Sequence, residues 1–171
     1  LALEVAVFSA TAPNFASAGN AAEILRLAVE VGLLALALTP IVIAGGIDLS
    51  SGALLALAAI ALGAIWRDAG WPIWIAAIGA IAVGAAGGAL NAWFIARWRL
   101  PPLMVTLGSL SLFRGLAEGL TGGVDNYTGL PPRFLAIGQG FVGPMPIQAP
   151  VLVAAAIGTW VLVHHHSSRV P

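Results

Sequence analysis

The chain of 171 residues is too apolar and too poor in charge for a soluble globular domain. Hydrophobic residues make up 60% of it and charged residues only 8%, against about 45–50% and 25% in soluble domains. Its arginines balance its acidic residues, and it contains no lysine and no cysteine. These features exclude a basic nucleic-acid-binding surface, a lysine-containing phosphate loop of the Walker type, disulfides and thiolate chemistry. We therefore predict a membrane protein with no nucleic-acid partner and no ATP-hydrolysing site.

Six hydrophobic stretches follow one another along the chain, and a helix needs about 20 apolar residues to cross a membrane. The predicted segments are 1–10, 22–44, 52–66, 71–96, 103–120 and 150–163. The first looks like the tail of a span, and the last is short for one. The fourth is the clearest, because tryptophans lie at both of its ends, as in interfacial aromatic belts. The sequence thus predicts an all-α, polytopic transmembrane bundle of about five to six segments.

The stretch 121–149 is rich in glycine and proline and shows no helical period. Such residues are typical of turns, so we expect an extramembrane excursion with one short interfacial element. The remainder of residues 1–171 is predicted to form a single transmembrane domain.

The arginines in short loops indicate the orientation of the chain. If successive spans alternate, Arg97, Arg99 and Arg169 lie on one side of the membrane, and Arg67 and Arg133 lie on the other. Cytoplasmic loops carry an excess of basic residues, so the side with three arginines is predicted to be cytoplasmic. The Gly/Pro-rich excursion then faces outward.

Asp48 lies in a break between the second and third segments, after Gly45-Gly46 and before Ser50. An ionisable residue at membrane depth costs about 2.5–3.5 kcal/mol and therefore usually faces a bundle interior or water. Two interpretations remain open. Asp48 or Ser50 caps the next helix by accepting from its first free N–H groups, or these side chains contact a transported molecule.

Two other groups of charged residues have helical spacing. Glu23, Arg26 and Glu30 are three and four residues apart and are predicted to pair along one face of a helix. Arg114 and Glu118 have the same spacing late in the fifth segment, deep enough to need a partner. This second pair is either a structural ion pair or part of a polar pathway.

A four-residue repeat of small side chains runs along the fourth segment. It consists of Ala80, Gly84, Gly88 and Ala92. Small residues on one helix face let another backbone approach closely, so we interpret the repeat as a helix-packing seam. The alternative is that Gly and Ala are simply abundant in this chain.

The run His164-His165-His166 does not predict a metal site, because successive helical residues point about 100° apart and cannot converge on one ion. It is instead interpreted as the polar end of a span or as the remnant of an affinity tag. The sequence also lacks the Gly-x-Ser-x-Gly and His-Glu-x-x-His motifs of hydrolases. We predict no enzyme, no metal and no bound cofactor.

Residues 45–56, Gly-Gly-Ile-Asp-Leu-Ser-Ser-Gly-Ala-Leu-Leu-Ala, resemble the signature segment of permease subunits in bacterial ribose-type sugar ABC importers, the group that includes the autoinducer-2 and rhamnose permeases. Further matching pieces follow the same order: Pro13–Phe15, Gly88–Asn91, Pro102–Gly108, Phe113–Gly115 and Leu162–Arg169. Each piece is weak alone, but the ordered set covers nearly the whole chain.

The resemblance implies a multi-pass permease subunit in the bacterial inner membrane. Such a subunit forms the pore with a second permease subunit, identical or different, and receives sugar from a periplasmic solute-binding protein. A separate ATPase subunit binds and hydrolyses ATP. A complete family member is about twice this length, so the chain is interpreted as a truncated permease domain, a fragment of a larger permease.

The leading hypothesis is therefore a transport subunit for a sugar or sugar-like solute. Its pathway is expected to be lined from the break at Gly46, Asp48 and Ser50, from Asn91, and from the pair Arg114 and Glu118. Two alternatives stay open. The chain is a membrane anchor or assembly protein without transport, or it is an ion-coupled secondary transporter whose carboxylates are Asp48 and Glu118.

Overall fold

The computed structural model describes residues 1–143 and 145–167. The helices in these residues are α1 (Ala2–Thr11), α2 (Ala18–Ile43), α3 (Ser51–Gly63), α4 (Ile73–Trp98), α5 (Pro102–Thr121), α6 (Pro132–Gln139) and α7 (Ala149–Ser167). A π-helical turn, Ala64–Asp68, continues α3, and two short strands, β1 (Phe141–Val142) and β2 (Met145–Pro146), form an antiparallel hairpin.

The predicted helical membrane class is confirmed. Each of the six predicted hydrophobic segments is helical, and four of the helical stretches are long and apolar enough to cross a membrane. These four are Ala18–Ile43, Ser51–Asp68, Ile73–Trp98 and Pro102–Thr121. α1 and α7 are apolar as well but shorter.

The chain forms two compact units, one of residues Leu1–Pro40 with Pro132–Pro171 and one of residues Ile41–Pro131. In the first unit, Val29 is buried, and the side chain of Leu152 on α7 lies against Gly32 on α2. The predicted pairing on α2 is present, because Arg26 forms ion pairs with both Glu23 and Glu30.

The second unit is a three-helix arrangement in which α3 packs against α4 and α5. Its buried core consists of Leu57, Phe113 and Ala117. A ring of partly buried apolar residues surrounds that core: Ala53, Leu54, Ile60, Val83 and Leu90. α5 begins with Pro102, whose missing N–H costs nothing in the first turn, and ends at Gly122, which adopts the left-handed conformation (φ +59°).

One close helix contact in this unit involves a glycine outside the predicted seam. A Cβ atom on Gly87 would clash with the side chain of Leu54 and lie 3.1 Å from Cζ of Phe113, whereas one on Gly84 or Gly88 would meet nothing within 4 Å. The lack of a side chain at Gly87 therefore lets side chains of α3 and α5 pack directly against α4. The seam of Ala80, Gly84, Gly88 and Ala92 does not form this contact and stays a prediction for another helix.

The stretch 121–149 is divided between the two units. Residues 122–131 belong to the three-helix unit, while α6 and the hairpin belong to the other. α6 is a short helix in this stretch, and the expected interfacial position of a short element there stays a prediction. The side chain of Gln148 donates from Nε2 to the carbonyl oxygen of Gly138 and so ties the end of the hairpin to α6. The extramembrane position of the stretch stays a prediction.

Candidate functional site

Three of the predicted site residues form a buried hydrogen-bonded chain. Asn91 on α4 donates from Nδ2 to Oγ of Ser50 over 2.8 Å, and Ser50 donates from Oγ to Oδ1 of Asp48 over 2.7 Å. Ser50 is completely buried and Asn91 is 7% exposed. The structure thus joins the helix break to a residue 41 positions further along the chain. We call these three residues the buried polar chain.

The direction of the hydrogen bonds in this chain follows from Asp48. Its Oδ1 atom accepts from the Ser50 hydroxyl, and the oxygen of that hydroxyl accepts from the amide nitrogen of Asn91. The amide oxygen of Asn91 is then directed elsewhere, and it has no partner among the described residues although it is buried. A buried acceptor without a donor costs about 1–3 kcal/mol, so a donor is expected there.

The predicted helix cap at the start of α3 is wrong. Ser50 occupies the N-cap position, but it makes no side-chain hydrogen bond to the first turn, and its backbone is helical (φ −86°, ψ −15°) rather than extended. Its hydroxyl is already engaged by Asp48 and Asn91. Among the residues that the structure describes, Asp48 accepts from the N–H and the hydroxyl of Ser50 and from no group in the first turn of α3. The buried polar chain therefore competes with capping and replaces it.

Glycine produces the break before Asp48. Gly45 adopts a left-handed conformation (φ +75°) and donates to the carbonyl of Val42 over 2.9 Å, while Gly46 donates to that of Ile41 over 2.8 Å. This paired closure ends a helix by satisfying its last carbonyls, and glycine adopts the required conformation without steric cost. Gly46 thus shapes the backbone of the break.

Thr106 on α5 was missed in the sequence. Its hydroxyl donates to the carbonyl oxygen of Ile47 over 3.1 Å, and the residue is 2% exposed. α5 is thereby attached to the same break. A signal was present, because Thr106, Ser109, Phe113 and Ala117 share one helix face, and all four are buried.

Arg114 and Glu118 pair with each other and not with the buried polar chain. Nε of Arg114 donates to Oε1 of Glu118 over 2.8 Å, and the side chains are 71% and 57% exposed. At a rise of 1.5 Å per residue, Arg114 lies only about 4 Å from the midpoint of α5 along the helix axis. The candidate site therefore has two separate parts.

A cavity of about 400 Å³ adjoins Glu118 on the side where α3 and α5 meet. Ala56, Ala59, Ile60 and Ala117 provide its apolar wall. Glu118, Thr121 and the loop 123–127 provide polar groups. We call it the α3–α5 cavity. Apolar walls with a few polar groups are typical of small-molecule sites.

A second polar cluster lies beside this cavity and was not predicted. Arg67 donates from Nη2 to Oδ2 of Asp125 and from Nε to Oδ1 of Asp68, over 2.8 and 2.9 Å. Tyr127 donates to Oδ2 of Asp68 over 2.6 Å, and its ring centre is 4.1 Å from the guanidinium carbon of Arg67. We call these four residues the loop clamp. Its hydrogen-bonded members are up to 59 positions apart, which sequence spacing cannot reveal.

The hydrogen bond to Asp68 raises the pKa of Tyr127 above its ordinary value, and burial adds to the shift. The phenol therefore stays protonated at physiological pH and continues to donate. A Cβ atom on Gly63 would clash with the Tyr127 ring, so the absence of a side chain at Gly63 makes room for the loop clamp.

Metal binding has no support in the described part of the chain, where no group of three or more His, Asp or Glu side chains could hold an ion. The ring of His164 stacks on Trp160, with centroids 5.3 Å apart. The side chains of His165 and His166 lie outside the described residues.

A family profile described as "Branched-chain amino acid transport system / permease component" matches residues 20–167. Curated relatives include the autoinducer 2 import system permease proteins LsrD of Klebsiella pneumoniae and Yersinia pestis. The first is 36% identical over 78% of this chain and 42% of the relative, and the second is 36% identical over 81% and 43%. The chain therefore spans about two fifths of the length of these relatives. No solved structure gives a significant match.

Proposed function

Because the chain belongs to the family described as the permease component of branched-chain amino acid transport systems, we propose that it is the membrane-spanning part of an ABC importer for a sugar or sugar-like solute. The protein is a multi-pass protein of the bacterial inner membrane. Its relatives are named for autoinducer 2 import. We propose a solute of the same class, a sugar or sugar-like molecule, for this chain.

The proposal assigns energy coupling to other subunits. The 171 residues contain no lysine, so no phosphate loop of the Walker type lies in them. ATP is bound and hydrolysed by a separate ATPase subunit, and a periplasmic binding protein delivers the solute. A second permease subunit, identical or different, completes the pore.

The exposed ion pair of Arg114 and Glu118 carries the proposal. Both side chains are more than half exposed, yet they lie on a helix that is long and apolar enough to cross the membrane. Facing lipid, a charged side chain near the centre of a span costs about 2.5–3.5 kcal/mol. Water or a polar solute removes that cost, so this side of α5 is assigned to the pathway.

The α3–α5 cavity supports the same assignment. It brings Glu118 together with Thr121 and Asn126, whose groups suit the hydroxyls of a polyol, while its alanine wall suits the C–H face. The buried polar chain lies at the other end of α3. There Asn91 fixes Ser50, and Ser50 fixes Asp48, so that Gly46, Asp48 and Ser50 form a rigid break beside the pathway.

Uptake by the full-length permease tests the proposal, with its ATPase and binding protein present and with labelled autoinducer 2 and D-ribose as separate probes. Glu118→Gln is expected to lower uptake at least tenfold with unchanged membrane abundance. Arg133→Gln is the matched control, because Arg133 is exposed and lies on α6, and it is expected to transport normally.

Three outcomes contradict the proposal. Unchanged uptake in Glu118→Gln would remove the α5 face from the pathway. Failure of the ATPase to co-purify with the intact protein would favour the membrane-anchor alternative, and uptake that follows a proton or sodium gradient without ATP would favour the secondary transporter.

A further inference from the structure

Two arginines at the end of α4 have no protein partner in the described part of the chain. Arg26, Arg67 and Arg114 each pair with a carboxylate. Arg97 and Arg99 form no ion pair or hydrogen bond there, and both are exposed. Each of these free guanidinium groups would be stabilised by a bound anion.

Aromatic side chains place these arginines at the membrane surface. Trp93, Phe94 and Trp98 form a cluster whose ring centroids are 5.0 to 5.3 Å apart. The two tryptophans are 50% and 57% exposed. Tryptophan prefers the headgroup region at the end of a span, so Arg97 and Arg99 are expected at the depth of lipid phosphates.

An apolar groove of about 250 Å³ lies between α4 and α5. Its lining includes Leu90, Phe94, Leu100, Met104, Gly108 and Leu112. Two polar residues also line it, but Ser109 donates from Oγ to the carbonyl of Val105 over 3.0 Å, and the amide of Asn91 is held by Ser50 with its oxygen buried. The groove thus presents an almost purely apolar surface.

The groove leads to the two arginines. Phe94, which lines it, is one helical turn before Arg97, and Leu100, which also lines it, directly follows Arg99. An apolar chain attached to an anion fits both features.

We propose that this groove is a binding site for an anionic phospholipid, with one acyl chain between α4 and α5 and the phosphate on Arg97 and Arg99. The proposal does not depend on the proposed transport function. It concerns the side of α5 away from Arg114 and Glu118, so lipid and solute contact different faces of the same helix.

Lipid selectivity of the protein in reconstituted vesicles tests the site. Electron spin resonance gives the association of spin-labelled phosphatidylglycerol relative to phosphatidylcholine. A basic residue near an anionic surface contributes about a fivefold preference, so Arg97→Gln with Arg99→Gln is expected to lower the selectivity of one site roughly 30-fold. Arg133→Gln is the control and is expected to leave it unchanged.

The groove is tested with Gly108→Leu, which fills it with a side chain. A Cβ atom at Gly108 meets nothing within 4 Å, so folding should be preserved. The control is Gly115→Leu on the same helix, which is equally open but does not line the groove. Gly108→Leu is expected to abolish the phosphatidylglycerol preference, and Gly115→Leu is expected to keep it.

Three results would overturn the proposal. The first is full selectivity in the double arginine variant, and the second is full selectivity in Gly108→Leu. The third is equal competition by glycerol phosphate, which would indicate a site for a free anion. If a variant fails to fold, the wild-type protein still tests the proposal. Its preference for phosphatidylglycerol over phosphatidylcholine must persist when glycerol phosphate is added, and it must weaken as the KCl concentration is raised.

Discussion

The two ends of the three-helix unit hold their polar side chains in different ways. At one end, the buried polar chain of Asp48, Ser50 and Asn91 is largely enclosed by protein: Ser50 is completely buried, Asn91 is 7% exposed and Asp48 is half-buried. At the other, the loop clamp of Arg67, Asp68, Asp125 and Tyr127 is built from charged groups, of which Asp68 and Asp125 are more than half exposed.

This difference separates two sources of stability. In a dry environment, a hydrogen bond is strong and an unpaired group is costly, so each member of the buried polar chain depends on the next. Exposed ion pairs contribute little, because water and salt screen them. We therefore expect the buried polar chain to be insensitive to salt but sensitive to substitution, and the loop clamp to be sensitive to salt.

The largest effect is expected from Ser50→Ala. It leaves the Nδ2 group of Asn91 without an acceptor and removes one donor from Asp48, which should lower the free energy of unfolding by about 1–3 kcal/mol. Ser111→Ala is the matched control, because its hydroxyl is exposed and bonds only within α5. Thermal unfolding in detergent measures both. Equal midpoints for the two variants would refute the buried polar chain.

A smaller effect is expected from Gly63→Ala. The new Cβ atom would overlap the Tyr127 ring, and displacing the loop that carries it should cost about 1 kcal/mol, the low end for overpacking. Gly84→Ala, which meets nothing within 4 Å, should be neutral or slightly stabilising. The same melting experiment distinguishes them, and a stable Gly63→Ala protein with an intact clamp would contradict the packing described here.

The pH dependence of the loop clamp follows from the raised pKa of Tyr127. A raised folded-state pKa means that the stabilisation is fully present below the ordinary tyrosine pKa of about 10 and is lost as the pH rises through the raised value. The chain has one tyrosine, so absorbance titration follows it directly. Asp68→Asn should bring the titration back towards the ordinary pKa, and an unshifted wild-type curve would rule out the hydrogen bond to Asp68.

The smallest effect is expected from salt. Screening in 1 M KCl reduces the Debye length to about 3 Å, so the difference in midpoint between wild type and Arg67→Gln should shrink relative to dilute buffer. The difference between wild type and Ser50→Ala should not change. Salt sensitivity of the Ser50→Ala difference would show that water reaches the buried polar chain.

Local features of this molecule were readable from the sequence. Long apolar runs predicted the helices, and Gly45-Gly46 before Asp48 predicted the break in the helical path. The ion pairs of Arg26 and Arg114 followed from their helical spacing. Each of these features depends on residues within a few positions of one another.

Features that depend on tertiary packing were not readable. Neither the bond between Asn91 and Ser50 nor the one between Thr106 and Ile47 has a signature in local spacing. The cap was predicted wrongly because Ser50 has a stronger partner in space than in its own helix. Likewise, the neighbouring side chains pack against Gly87 and not against Gly84 or Gly88. The positions of α3 and α5, and not the repeat itself, determine which face of α4 they contact.

The π-helical turn Ala64–Asp68 has a geometric consequence for the loop clamp. Within it, the N–H of Ala69 reaches the carbonyl of Ala64, five residues back instead of four. Such a turn is equivalent to one inserted residue, and it rotates every later side chain by about 100°. The directions in which Arg67 and Asp68 point around the helix axis therefore depend on this extra residue. Deleting one residue here would restore the ordinary winding and aim both charges away from Tyr127 and Asp125.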